Sequence, residues 1–277
     1  MKKIDKAKTF LSEQLHLFKC PVCHSSFDAL DGYQLSCTHN HSFDLSKKGT
    51  LHFLLKPSKS EYSRPMLLSR QRIAKMGFWQ PMLDTLYSLI ENKTGVALDV
   101  GCGEGAHSAY LIEKGLAGPV IAFDISKEGV NLGAATYEDI FFLVADLAQS
   151  PFATEQFDTI LNILSPSNYE EFNRLLKPGG QVIKVIPGKD YLKELRAFQP
   201  KENQSYSNKE VKDKFMTHYP KASEHVVRYS VDLNDEEVTD FLNMTPLGWH
   251  IEASEKETVS LHHITVDMVI LVGNKAQ

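Results

Sequence analysis

Absent from this chain are long apolar runs, a cysteine-dense framework and a phosphate-binding loop, and each absence removes a class of protein. No apolar stretch approaches the ~20 residues a membrane-spanning helix needs. Lysines stand at positions 2, 3, 6 and 8. Neither a continuous apolar segment nor a small-residue cleavage site follows them, so no secretory signal is expected and a cytoplasmic protein with no membrane partner is. Four cysteines are few for 277 residues, and in a cytosolic setting they favour a metal over disulfides. No G-K-[ST] follows the glycines of Gly101–Gly105, which excludes a Walker loop. Repeats and low-complexity tracts are missing too.

What is present begins with uneven charge. Residues 1–95 carry 14 Lys and Arg against 8 Asp and Glu, while residues 96–277 carry 16 against 27. A basic front on an acidic body suits a nucleic-acid partner, because phosphate contacts need local positive charge. A solvated helix face gives the same pattern.

Three of the four cysteines fall within eighteen residues, as Cys20-Pro21-Val22-Cys23 and Cys37-Thr38-His39-Asn40-His41. A C-x₂-C turn points two thiolates at one place, and Cys37 with a histidine completes a tetrahedron around Zn²⁺. His24, His39 and His41 are candidates for the fourth ligand. The C-x₃-H spacing makes a second turn, which selects His41. Four protein ligands make a closed, structural site that activates no water. Short strands at 33–35 and 42–44 flank it, and 49–55 is expected to close a module spanning 1–57, with Lys6–Leu17 as an amphipathic helix in front. A polar linker at 56–60 opens a helical bridge over 58–95 that carries Arg64, Arg70 and Arg72, candidates for RNA phosphates. Gly77-Phe78-Trp79-Gln80-Pro81 interrupts that bridge, and Trp79 is placed to pack on a cofactor.

From Val96 the chain alternates strand and helix. Strands are expected near 96–100, 119–124, 141–145, 157–164 and 181–186, which implies a parallel α/β sheet with helices on both faces. The first strand runs into Asp99-Val100-Gly101-Cys102-Gly103-Glu104-Gly105, a loop whose glycines let a ligand lie against the backbone. The next two strands end in Asp124 and Asp146. Ligands of such sheets bind at the carboxyl ends of the strands, where an acid suits the two hydroxyls of a ribose. Asp124 is therefore the expected ribose binder, Asp146 with Leu147 the adenine contact, and Asp99 a brace for the loop or for the cofactor's amino group. The fourth strand ends Asn162-Ile163-Leu164-Ser165-Pro166, so Asn162 and Ser165 are candidates to touch the acceptor. Residues 201–214 read as a surface loop, 236–242 as a helix capped by Asn234, 244–249 as a compact loop and 264–272 as a closing strand.

Three strand–acid endings with Gly101-Cys102-Gly103 resemble the class I S-adenosylmethionine (SAM)-dependent methyltransferases, with a Rossmann-like doubly wound sheet over 96–277. Together with C-P-V-C, C-x₃-H-x-F-D, G-F-W-Q-P, L-K-P-G-G and M-T-P-L-G-W, the chain is similar to the rRNA large subunit methyltransferase A family over about residues 18–250. The resemblance implies methyl transfer from SAM to N1 of a guanine in hairpin 35 of 23S rRNA. It also implies Zn²⁺ on Cys20, Cys23, Cys37 and His41, and SAM contacts from Trp79, Gly103, Glu104 and Tyr191. A homodimer with an RNA cleft is implied as well. Trp79 and Tyr191 stand where other members can have tyrosine and histidine. No D/N-P-P-Y/F motif follows the fourth strand, which argues against an exocyclic amine as acceptor.

Overall fold

The computed structural model describes residues 1–56, 62–200, 206–249, 251 and 261–276. Helix α1 (Lys3–Gln14) buries Ala7 and Leu11 and ends in a 3₁₀ turn at Leu15–Leu17. Strands β1 (Phe27–Asp31), β2 (Gln34–Cys37) and β3 (Ser42–Asp44) form a small antiparallel sheet, followed by β4 (Leu51–His52). Helix α2 (Arg64–Lys75) starts at Ser63, whose side chain accepts a hydrogen bond from the Met66 N–H, and α3 (Gln80–Leu89) follows the break at Gly77. The alternating stretch is β5 (Ala97–Val100), α4 (Ala106–Glu113), β6 (Val120–Asp124), α5 (Lys127–Thr136), β7 (Phe141–Val144), β8 (Phe157–Ile163), α6 (Tyr169–Leu175) and β9 (Leu176–Pro187). The last third holds α7 (Lys193–Arg196), α8 (Lys209–His218), β10 (Ser223–Asp232), α9 (Asp235–Met244), the single turn α10 (Pro246–Trp249) and β11 (His263–Asn274).

The main sheet runs β10-β11-β9-β8-β5-β6-β7-β4. Its strands β4 to β9 are parallel, but β11 pairs antiparallel with β9 and β10 antiparallel with β11, so the sheet is mixed rather than all-parallel. Strand order reverses between β5 and β8: the chain builds β6 and β7 on one side, then returns to the other. That reversal opens a crevice at the carboxyl ends of β5 and β8. Successive residues of one strand feed opposite cores. Ala97 faces the layer with Trp79, Met82 and Phe241, while Leu98 and Val100 face the layer with Leu11, Phe18 and Phe172.

Three expectations change. The segment expected to close the small module instead sends β4 into the main sheet, beside β7, with Leu51 opposite Leu143. The expected loop at 201–214 is helical from Lys209 onward, because Phe215 is buried in the core layer of Tyr169 and Tyr219. The stretch 244–249 is the end of α9 followed by α10. Asn234 does cap α9, in a reciprocal capping box with Glu237. Residues 57–60 of the expected linker, and 201–205, lie outside the described residues. Among the described residues no helix is long and apolar enough to cross a membrane.

Candidate active site and metal centre

Two cavities meet at the reversal point. The first, of about 290 Å³, is lined by Gly101, Gly103, Asp124, Asp146 and Leu147, with Ile125 at its edge. The second, of about 600 Å³, lies over the ends of β8 and β9 and takes in Trp79, Lys184, Tyr191, Tyr206 and Glu210. Arg70, Leu164, Ser165 and Pro166 border both. Leu164, at the junction, is held at φ +53°, a conformation that costs a non-glycine residue roughly 1–3 kcal/mol and is found at functional sites.

The glycine loop is held by the second strand's acid. Asp124 accepts the Gly103 N–H at 2.8 Å on one oxygen and the Ser126 N–H at 2.8 Å on the other. Asp146 accepts the Ala148 N–H at 2.9 Å, which fixes the turn carrying Leu147. Gly101 and Gly103 have φ of +73° and +58°. A Cβ on Gly103 would meet nothing within 4 Å, so the space beside it is open to a ligand. Gly105 serves packing instead. It lines neither cavity, and a Cβ there would lie 2.6 Å from the Phe142 ring. Asp99 and Glu104 are buried behind the loop rather than along a cavity wall; Asp99 accepts from Ser108 Oγ at 2.6 Å. Trp79 and Tyr191 come together in the second cavity, away from Leu147.

Charge in this crevice is lopsided. Burial raises the proton affinity of Asp99, Glu104 and Asp124; repulsion from neighbouring acids adds to it at Asp99 and Glu104, and Arg70 opposes it at all three. Arg70 Nε stands 3.5 Å from Glu104 Oε2, and its guanidinium lies 5.1 Å from the Trp79 ring centroid. A pyrophosphate would be repelled here, whereas a cationic sulfonium is favoured. Of the three buried side-chain polar atoms without a hydrogen-bond partner among the described residues, Trp79 Nε1 and Glu104 Oε2 belong to this region and Tyr219 Oη does not; Trp79 lines the second cavity, where an unpaired donor suits a bound ligand. The residues thus fit SAM.

Asp99, pushed up to about 7 by burial, yields a pH prediction. Its carboxyl ionises near 4 in the unfolded chain and later in the fold, so its ionisation destabilises the fold increasingly between those values. Asp99→Asn is uncharged throughout. It should raise the melting temperature of the ligand-free protein at pH 8, and the gain should shrink toward pH 5. A gain of equal size at both pH values would contradict the assignment.

At the end of β8, Asn162 is fully buried and spent on structure. Its Nδ2 donates to Ser165 Oγ at 2.6 Å and to the Pro166 carbonyl at 2.9 Å, and its Oδ1 accepts from Ser167 Oγ and Lys184 Nζ. Of the two expected acceptor contacts, Ser165 borders the cavities and Asn162 does not. Lys184 belongs to no motif and sequence reasoning misses it. The available signal is one lysine inside the otherwise apolar Val182-Ile183-Lys184-Val185-Ile186.

The three arginines expected to grip RNA separate. Arg72 is committed to Asp240 of α9 through Nε and Nη2, with Ser69 sharing the contact. It therefore braces α2 against α9 instead of offering a free phosphate donor. Arg70 belongs to the cavities. Arg64 remains largely exposed, 3.7 Å from Glu128.

In the N-terminal module, Cys20, Cys23, Cys37 and His41 converge, their ligand atoms all within 4.8 Å of one another. Cys23 Sγ to Cys37 Sγ is 3.6 Å, and His41 Nδ1 lies 3.6 Å from Cys20 Sγ and 3.5 Å from Cys37 Sγ. With Zn–S near 2.3 Å and Zn–N near 2.0–2.1 Å, a tetrahedron has S···N edges of roughly 3.6 Å and S···S edges of roughly 3.8 Å. The donors fit zinc. His39 is instead engaged with Ser25 Oγ at 2.9 Å.

A glycine loop braced by one strand-end acid, on a sheet reversing at that point, defines a class I SAM-dependent methyltransferase that carries a zinc module. Models described as "Methyltransferase domain" and "RlmA, N-terminal" match residues 97–180 and 18–62. A solved Haemonchus contortus phosphoethanolamine N-methyltransferase bound to S-adenosylhomocysteine shares the fold, with TM-score 0.52 and 15% identity, over 79% of this chain and 59% of that one. A Bacillus subtilis (strain 168) protein, provisionally named 23S rRNA (guanine-N(1)-)-methyltransferase YxjB, is 40% identical over 94% of this chain and 97% of its own. The 23S rRNA (guanine(748)-N(1))-methyltransferase of Streptomyces fradiae is 24% identical over 92% and 95%. The chain belongs to this 23S rRNA guanine-N1 methyltransferase family.

Proposed function

We propose that this protein transfers the methyl group of SAM to N1 of a guanine in hairpin 35 of 23S rRNA, in the cytoplasm. The observation that carries this reading is the meeting of the two cavities at Leu164–Pro166, one beside the glycine loop and one roomy enough for a nucleobase. Membership of the family supports the choice of RNA and atom. When bound, SAM supplies a methyl group on a positively charged sulfur. Asp124 is the acid for the ribose hydroxyls, Gly103 gives the backbone approach, and Leu147 with Ile125 forms the apolar wall for adenine. Trp79 and Tyr191 close the methionine end, beside Arg70. A guanine must leave its stack to enter the second cavity. We assign RNA capture to the zinc-bearing segment 1–57 together with Arg64 on the helical bridge 58–95, ahead of the catalytic portion 96–277.

Purified protein with SAM should convert hairpin 35 transcripts or intact 23S rRNA to a product that yields 1-methylguanosine on nucleoside mass spectrometry. Unmodified N1 on both substrates would reject the proposal.

A further inference from the structure

The reaction needs a group to take the N1 proton of guanine, and the strand-end motif at 162–166 holds no carboxylate. We infer that Lys184, which lines the second cavity, is this base: its amine accepts the N1 proton as the methyl group is transferred. The inference rests on the function proposed above.

Geometry carries it. Lys184 sits on β9 and is only 4% exposed, yet it lines the cavity over the ends of β8 and β9. Its Nζ donates to Asn162 Oδ1 at 2.7 Å and to the Ser165 carbonyl at 3.1 Å. Both are neutral oxygens, and among the described residues Lys184 forms no ion pair. The Asn162 amide cannot swing away, because its Nδ2 is tied to Ser165 and Pro166. The amine is thus fixed in place without a counter-charge, hydrogen-bonded directly to Ser165, one of the residues that border both cavities.

A buried lysine left without a counter-ion gives up its proton easily. Burial pushes Lys184 down to about 8, and no charged neighbour contributes to the shift. The charged groups around the same cavity are Arg70 of α2 and Glu210 and Lys214 of α8. Its phenols are Tyr62, Tyr169 of α6, Tyr191 and Tyr206. A base whose affinity lies close to the working pH is the effective kind.

The step balances. The N1–H bond breaks with its proton going to Nζ, N1 forms its bond to the methyl carbon, and the carbon–sulfur bond breaks with its electron pair left on sulfur. The resulting ammonium then returns the proton to water.

Single-turnover formation of 1-methylguanosine should fall by about 10²–10⁴-fold in Lys184→Met, with RNA affinity and melting temperature retained. Lys184→Arg keeps the positive charge but cannot accept a proton, and should be equally slow. The wild-type rate should rise with pH to a plateau above about 8, a dependence lost in both variants. Independently of activity, NMR titration of labelled lysine side chains, assigned with the arginine variant, should give Lys184 a midpoint well below the others. A Met variant within about five-fold of wild type, an Arg variant near wild-type rate, or an ordinary lysine midpoint would each overturn the inference. Absence of 1-methylguanosine from the wild-type reaction would instead reject the proposed function, and the NMR titration would still report on Lys184.

Discussion

Removing the metal from the Cys20–Cys23–Cys37–His41 cluster is expected to unfold the small β1–β3 sheet and abolish RNA capture while leaving SAM binding within a few-fold. Three strands of three to five residues cannot hold themselves together. Structural zinc contributes on the order of 10 kcal/mol to comparable small folds. The damage will not stay local. Phe18 packs edge-on against Phe141 of β7 and tilted against Phe152, and Phe10 stacks on Phe141 with centroids 4.6 Å apart. Cys37→Ser should therefore carry no stoichiometric zinc by elemental analysis and should melt at least ~10 °C lower, given roughly 2–4 °C per kcal/mol in chains of this size. Cys102→Ser serves as the control for zinc content, since Cys102 is buried within the glycine loop and lies outside the cluster. Its zinc content should stay at one per chain. A zinc-free Cys37→Ser protein with wild-type melting and RNA affinity would show that the metal is dispensable.

Gly101→Ala should weaken SAM binding at least ~100-fold and lower stability at the same time. Its backbone lies at φ +73°, which costs a residue with a side chain about 1–2 kcal/mol. The added Cβ would also fall 2.6 Å from Ser165 Cβ and 2.8 Å from Ser165 Oγ. Ser165 has nowhere to go: its hydroxyl donates to the Val100 carbonyl at 2.6 Å and accepts from Asn162. The disturbance must pass into the junction between the cavities. Gly103→Ala provides the contrast, because its Cβ would enter open space where the ligand belongs. Its φ of +58° carries the same backbone cost of about 1–2 kcal/mol, so it should lose SAM affinity with a melting temperature lowered by no more than about 8 °C, less than in Gly101→Ala. Isothermal titration calorimetry and thermal melts on the two variants separate these outcomes. Equal melting temperatures with equal losses of affinity would remove the steric argument for Gly101.

The parts of the site that are legible in the chain are those written by neighbours in sequence. A run from Ala97 through Asp99 into Gly101, Gly103 and Gly105 specifies a buried strand and a loop at once, since strand burial and positive φ are local demands. The cysteine pairs are readable for the same reason: C-x₂-C fixes a turn whatever surrounds it. Gly105 shows the limit of that reading. It looks like Gly101 and Gly103 in the sequence and shares their positive φ (+79°), yet its missing Cβ makes room for Phe142, a residue 37 positions away, rather than for a ligand. Arg72 likewise resembles a phosphate clamp until α9 brings Asp240 against it.

By itself, then, the sequence determined the alternation of strands and helices from β5 to β9, the glycine loop with its acids, and the metal ligands, because each depends on residues within a few positions of one another. Only the tertiary structure decided that β4 leaves the zinc module for the main sheet, that β10 and β11 turn that sheet antiparallel, and that Arg70 guards the crevice. It also brought a lysine from β9 under the strand-end turn of β8. Those outcomes rest on burial and pairing between segments far apart in the chain. The local pattern of a lysine is the same on a solvated face as on a buried one, and its chemistry changes only when a neighbouring strand removes the water.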